Sequence, residues 1–250
     1  MNVLITRPDE RGQQLVELLA KEQIFAIHQP LFSVVAGREL PLLPSTVSGL
    51  KAGDFLFAVS KNAVDFAHQT LTEIGFGWRS DLQYIAVGQA TASYLASHAM
   101  QAVCYPLKFA NSEGLLELPE MQQNLQGKTI LILRAESGRE YFAEQAKQRG
   151  AEVKVLECYQ RIPFTQDMSD KISLAKRAGI DTIVATSSDI VSMLVAQTRE
   201  EDREWLFQCR LVVVSPRIAK DAQQLGWQTK AIDISEKADN HSLLNTLLKS

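Results

Sequence analysis

Val3-Leu4-Ile5-Thr6-Arg7-Pro8, near the start of the chain, has a partner in Ile130-Leu131-Ile132-Leu133-Arg134-Ala135, an apolar run closed by an arginine 127 positions later (3 to 130). The same offset returns twice more. Asp54-Phe55-Leu56-Phe57-Ala58-Val59-Ser60 aligns with Asp181-Thr182-Ile183-Val184-Ala185-Thr186-Ser187, and Tyr84-Ile85-Ala86-Val87-Gly88 with Leu211-Val212-Val213-Val214-Ser215. Each run is short, apolar and followed by a small or polar residue ahead of a helical pattern, the form of a buried parallel strand feeding a helix. A constant spacing over three passages marks a duplication, and a duplication of this kind predicts two similar lobes with a cleft between them.

Outside these passages, strand and helix patterns alternate almost throughout, which predicts an α/β protein with parallel sheets covered by helices on both faces. A first helix is expected over 9–22, with Leu15, Leu18 and Leu19 at core-facing spacing, and its counterpart over 139–149, stopped by Gly150. Two stretches break the alternation. Residues 36–50 hold Gly37, Pro41, Pro44 and Gly49, and residues 160–170 hold Pro163 among polar residues, so both read as linkers. The simplest arrangement with two chain crossings has a discontinuous first lobe, 1–35 plus 165–250, a second lobe over 50–157, and linkers at 36–49 and 158–164. Two consecutive lobes split near Gly127 fit the repeat as well.

The 250 residues, 46% apolar and 22% charged, suffice for one large core or two modest ones. A net charge of −3 argues against general nucleic-acid binding, which needs an excess of Lys and Arg on one face. The sequence opens directly on a strand pattern without an apolar leader and has no stretch of membrane-spanning length, so the expected location is the cytoplasm, with no membrane partner. Cys104, Cys158 and Cys209 are odd in number and far apart, and His28, His68, His98 and His241 lack ligand spacing, so neither a disulfide framework nor a metal site is indicated.

In open α/β sheets, ligands bind beyond the carboxyl ends of the strands, where helix N-termini expose N–H groups. The repeat places Ser60-Lys61-Asn62 and Ser187-Ser188-Asp189 at two such ends, and Gly88-Gln89-Ala90-Thr91 and Ser215-Pro216-Arg217 at two more. The serines can cap a helix and hold an anion, capping alone being the plainer reading, and none of these stretches is a G-x-G-x-x-G or a P-loop, so a nucleotide enzyme is unsupported. Arg7, Lys61, Arg134, Arg139 and Arg217 cluster at the same ends, where an arginine fork can hold a carboxylate, unless neighbours such as Asp9, Glu136 or Glu140 pair with them. Tyr159 ends the alternating series Val153, Val155, Glu157 just before the second linker, placed to face a cleft or to pack at a hinge.

The passages through Arg7-Pro8, Ser60 to Val64, Ala86 to Ala92, Ser112-Glu113-Gly114-Leu115-Leu116, Cys158-Tyr159-Gln160-Arg161 and Val214 to Ala219 together resemble the uroporphyrinogen-III synthase family over nearly the whole chain. The resemblance implies two flavodoxin-like parallel-sheet lobes of the HemD-like kind, joined by a two-stranded linker, in a monomer that uses no cofactor. It implies closure of hydroxymethylbilane to uroporphyrinogen III with loss of water and inversion of ring D through a spiro intermediate. By position, Ser60, Thr91 and Tyr159 match polar cleft positions of the family, Tyr159 at its catalytic tyrosine; Ser60 and Thr91, with the strand-end residues Arg7, Asn62, Gly88, Arg134, Arg139, Ser187, Ser188, Ser215 and Arg217, are the expected substrate-binding residues. Lys61-Asn62 replaces a Pro-Arg pair of some relatives, and Ser188-Asp189 and Arg217-Ile218 vary where others carry Ser or Thr. The alternative from another class is a two-lobed intracellular binding protein for a small polyanionic ligand, without catalysis.

Overall fold

The repeated passages become the central strands of two parallel sheets. The computed structural model describes residues 1–164 and 168–249. The chain begins β1 (Asn2–Ile5), α1 (Glu10–Lys21), β2 (Phe25–His28), β3 (Phe32–Ala36) and α2 (Leu43–Ser48). It continues through β4 (Phe55–Ala58), α3 (Lys61–Glu73), β5 (Gln83–Ala86), α4 (Gln89–Ala99), β6 (Val103–Cys104), α5 (Ser112–Leu116) and α6 (Pro119–Gln122). Next come β7 (Thr129–Ala135), α7 (Tyr141–Gln148), β8 (Glu152–Pro163) and α8 (Met168–Arg177). The last stretch holds β9 (Thr182–Val184), α9 (Ser188–Gln197), α10 (Arg203–Gln208), β10 (Arg210–Val213), α11 (Pro216–Leu225), β11 (Ile232–Ile234) and α12 (Asn240–Leu248).

Contacts divide the chain into unit 1, Met1–Ser33 with Ile162–Ser250, and unit 2, Val34–Arg161. Unit 1 is thus discontinuous, and the backbone leaves it within β3 and re-enters it within β8. The five-stranded sheet runs β11-β10-β9-β1-β2, and the six-stranded one, read from its far edge, β6-β5-β4-β7-β8-β3. Shifting residue numbers by 127 maps one order onto the other. It also maps register onto register: Val3 opposite Thr182 becomes Ile130 opposite Phe55, Asn2 opposite Phe25 becomes Thr129 opposite Glu152, and Leu211 opposite Ile183 becomes Tyr84 opposite Leu56. Only the outer edge slips, Leu211 pairing Ile232 where Tyr84 pairs Val103, an offset of 129 for the last strand (232 − 103). Each unit therefore combines strands from both copies of the repeat.

Period-two alternation builds the core of unit 2 on both sheet faces. Phe55, Phe57, Ile130 and Ile132 pack with Phe142 in one cluster, while Leu56, Ala58, Leu131 and Leu133 pack with Val64 and Leu71 in another. Val3, Ile5, Val184 and Val212 join Leu15, Leu19 and Leu243 in unit 1. Truncating one of the buried leucines to alanine costs about 2–5 kcal/mol. Helix α1 starts where Asp9 accepts the Arg11 N–H, and α7 ends ahead of Gly150, whose φ of +93° suits glycine. The counterpart helix is shorter than 139–149, because Arg139 lies ahead of its first turn and reaches Glu113.

Residues 36–50 are folded where a bare linker is expected. A 3₁₀ turn over Leu40–Leu42 leads into α2, and Leu40, Leu43, Val47 and Leu50 are buried in the core of unit 2. Prolines 41 and 44 sit in first turns, where a missing N–H costs nothing. The second expected break is largely strand, since β8 runs to Pro163; residues 165–167 of that stretch lie outside the described residues. Among the described residues, no helix is long and apolar enough to cross a membrane.

Candidate functional site

In unit 2 the end of β4 turns into α3 at Ser60, an extended residue whose hydroxyl oxygen accepts the Ala63 N–H at 3.2 Å. The same hydroxyl donates to the phenol oxygen of Tyr159 at 3.0 Å. Two donors in series, N–H to Ser60 and Ser60 to Tyr159, thus direct positive polarity from the start of a 13-residue helix onto one phenol oxygen. The phenol proton itself has no acceptor among the described residues. Tyr159 is 2% exposed, its ring stacks on Phe66 at 6.4 Å, and the Arg161 guanidinium lies 5.5 Å from its centroid.

A bulge sets this position. Arg134 faces Glu157 across the β7–β8 ladder, but Ala135 faces Tyr159, so Cys158 is the extra residue, and the Glu136 N–H then bonds to the Tyr159 carbonyl at 3.0 Å. Alternation stops there: Leu156, Cys158 and Tyr159 pack in one cluster while Val155 is exposed. Tyr159 accordingly departs from the series Val153, Val155, Glu157 and lies within β8, not at its end. Bulges recur beside binding sites because they re-aim a side chain in this way.

Tyr159 borders a cavity of about 170 Å³ that lies wholly within unit 2. Phe57, Ile132 and Phe142 supply apolar wall, and Ser112, Arg134, Arg139 and Arg161 supply polar atoms. Arg134 donates through Nη2 to Glu140 Oε1 at 2.6 Å, and its Nε is buried without an acceptor. Arg139 makes a forked pair with Glu113 at 2.6 and 3.1 Å, which raises its pKa, and sits 5.6 Å from the Tyr141 ring. Beside them, Gly88 opens α4 without a side-chain cap, so the N–H groups of that first turn are free for a ligand. A Cβ at Gly88 would come 2.8 Å from that of Ala110, which explains the glycine by close approach. Thr91 is buried in the same turn, and Asn62, half-buried in the first turn of α3, makes no side-chain hydrogen bond among the described residues.

Unit 1 treats the matching positions differently. Arg7 is 2% exposed, and its Nη1 donates to the Ala238 carbonyl and to Asn240 Oδ1, both at 2.9 Å. Burial, with repulsion from Arg11, pulls its pKa down to about 10 against the opposing pull of Asp9 and Asp239, so it stays cationic at neutral pH. Arg7 is thereby a tie between the end of β1 and the 238–240 turn, not an exposed anion donor. Ser187 and Ser215 cap α9 and α11, accepting the Ile190 and Ile218 N–H groups at 3.3 Å. Ser188 donates to Asp221 at 2.5 Å and accepts from Arg217 at 3.1 Å, while Arg217 lies 3.6 Å from Asp221. Its charge is thus partly answered within the unit.

The structure therefore brings Arg134, Arg139 and Tyr159 to one cavity, with Ser60 bonded to Tyr159, and buries Arg7. It adds Arg161 and Ser112, which spacing alone did not single out; Arg161 follows Tyr159 by two in an alternating strand, the one available hint. No group of three or more His, Cys, Asp or Glu among the described residues can hold a metal ion.

The uroporphyrinogen-III synthase HemD family model matches residues 13–245. Uroporphyrinogen-III synthase of Salmonella typhimurium is 42% identical over 250 residues, covering 99% of this chain and all of that protein. Its namesake in Escherichia coli is 39% identical over 248 residues, again covering 99% of this chain and all of that one. Among solved structures, a mutant uroporphyrinogen III synthase from Thermus thermophilus superposes over all of both chains with a TM-score of 0.70 at 16% identity, which is a likeness of fold.

Proposed function

The chain belongs to the uroporphyrinogen-III synthase family, and from that premise we infer that it closes hydroxymethylbilane into uroporphyrinogen III, a dehydrating cyclisation in tetrapyrrole biosynthesis. The linear substrate carries eight carboxylates and a hydroxymethyl group on ring A. Loss of that hydroxyl as water, driven by the neighbouring pyrrole nitrogen, leaves an azafulvene. Unassisted closure gives isomer I. Isomer III requires attack at the substituted carbon of ring D, a spiro intermediate, and reclosure with that ring inverted, so holding the chain in the right geometry is the main task.

The observation that carries the catalytic reading is the series Ala63 N–H, Ser60 hydroxyl, Tyr159 phenol. Both bonds point toward the phenol oxygen, so they stabilise the charge it acquires when its free proton passes to the departing hydroxyl. Tyr159 is on this reading the general acid, and Ser60 a positioning residue that acts through it. The carboxylates are received by Arg134, Arg139 and Asn62 and by the open first turn of α4 at Gly88 and Thr91. Arg7 receives none of them and fixes the end of β1 instead. The protein works as a cytoplasmic monomer without a cofactor.

The test is to generate hydroxymethylbilane in situ with the protein present, oxidise the products and separate uroporphyrins I and III. Predominant isomer III is expected; isomer I alone, from folded protein, would overturn the assignment and leave an anion-binding role.

A further inference from the structure

The cavity beside Tyr159 is too small for the whole substrate and well suited to a part of it. Small-molecule sites commonly span about 300–1,000 Å³, against about 170 Å³ here. Its lining is amphiphilic: aromatic and aliphatic wall from Phe57, Ile132 and Phe142, and the Arg134 guanidinium. That guanidinium is under-used. Only Nη2 has an acceptor, Glu140, whose side chain is 54% exposed; Nε is buried without one, and Nη1 has none among the described residues. A buried cationic donor left unpaired is costly, and a carboxylate is the group that matches a guanidinium edge with two parallel bonds. The duplicated fold does not impose this state, because Arg7, at the same position of the other copy, spends its Nη1 on two protein acceptors.

We propose that this cavity takes the carboxylate arm on the ring-A carbon next to the hydroxymethyl-bearing one, with its methylene against Phe57 and Phe142 and its carboxylate on Arg134. The assignment to ring A rests on the synthase reading above: Tyr159, the acid for the leaving hydroxyl, borders the same cavity, so the arm within reach of Arg134 is the one adjacent to that hydroxyl. Anchoring it would hold the reacting carbon against the phenol. Glu140 is then a competitor that the substrate carboxylate displaces or joins.

The probe is a monopyrrole bearing a methyl group next to a carboxymethyl arm, compared with its neutral primary amide, with binding followed by NMR titration of the arginine Nε–H signals. Wild type should bind the acid about 10- to 100-fold more tightly than the amide, the range expected for a charge-assisted pair. In Arg134→Gln that preference should fall to within about 2-fold. In Glu140→Gln, an exposed change that leaves folding intact, the acid should bind more tightly than in wild type. Equal binding of acid and amide by wild type, or an unchanged preference in Arg134→Gln together with no gain in Glu140→Gln, would overturn the proposal. The isomer assay, run in parallel, reports separately on the synthase reading: formation of isomer III with no acid preference rejects the anchor alone, whereas an acid preference without isomer III rejects the reaction and keeps the carboxylate site.

Discussion

Arg7 and Arg134 stand at the same position of the two copies, at the ends of β1 and β7, and meet opposite fates. Arg7 is enclosed and tied to the 238–240 turn, whereas Arg134 borders a cavity with most of its donors unused. The difference comes from elements far along the chain. In unit 1 the approach to α12 brings Ala238 and Asn240 onto the guanidinium; in unit 2 the corresponding approach to α5 brings Ser112 to the cavity wall without a bond to Arg134. The serine pair repeats the lesson. Ser60 and Ser187 cap equivalent helices, but only Ser60 also reaches a phenol, because residue 32, the counterpart of Tyr159, is a phenylalanine. Unit 1 has become scaffold at these points, and unit 2 has kept free chemistry.

The sharpest break of that asymmetry is Tyr159→Phe, which makes the two copies alike. Turnover should fall by about 10²–10⁴-fold, the usual share of a general acid, with KM little changed; unchanged turnover in the isomer assay would remove the phenol from the mechanism. Next is the arginine pair. Arg7→Met should cost about 1.5–3 kcal/mol in urea unfolding, since it removes the charge-assisted hydrogen bonds that tie the end of β1 to the 238–240 turn, while Arg134→Met should stay within about 1 kcal/mol and act on substrate affinity. Similar stability losses for both would erase the contrast. For the serines, Ser187→Ala should cost about 1 kcal/mol with kcat intact, and Ser60→Ala a similar amount with an added loss of kcat. Equal activity of those two variants would deny Ser60 its second role.

A smaller effect separates the units in acid. The carboxyls of Asp9, Asp181, Asp202 and Asp239, all in unit 1, are held below their ordinary 3.8, for Asp202 chiefly by hydrogen bonds from Lys176 and Ser173. In unit 2 the clear case is Asp81, through Arg79. A carboxyl whose folded pKa is depressed stabilises the fold above its unfolded pKa, and that contribution is lost as pH falls through the folded value. Below about pH 4, unit 1 should therefore loosen first. Fluorescence of the unit 1 tryptophans, Trp205 and Trp227, in a Trp78→Phe variant should report unfolding at a higher pH than that of Trp78 in a variant carrying both Trp205→Phe and Trp227→Phe. Coincident transitions would show that the units unfold as one.

Much of this architecture was legible because it is written in short-range patterns. Apolar runs at a fixed offset specify strands, a register shared between sheets and the strand ends where Ser60, Gly88, Ser187 and Ser215 open helices. The pairing of Arg134 with Glu140, six residues away, was equally within reach. What escaped depends on contacts that no local window contains. The enclosure of Arg7 is decided by residues 238–240, the re-aiming of Tyr159 by an unpaired Cys158, and the burial of Leu43 and Val47 in a Pro-rich stretch by the cluster they fill. Arg161, quoted within Cys158-Tyr159-Gln160-Arg161, received no site role because a cation two residues beyond a tyrosine is only a hint until the strand brings it over the ring.

Assembly of each unit from both copies has a consequence for synthesis on the ribosome. Unit 2 is one continuous stretch, Val34–Arg161, and can fold as soon as it emerges. Strand β1 has no such option on one flank, because Val3 pairs with Thr182, which is made 179 residues later (182 − 3). At about 5–20 residues per second, that is a wait of roughly 10–35 s. The nascent chain thus carries an unfinished sheet edge at its start while its middle is already native, and that interval is when the protein is most open to mispairing and most in need of a chaperone.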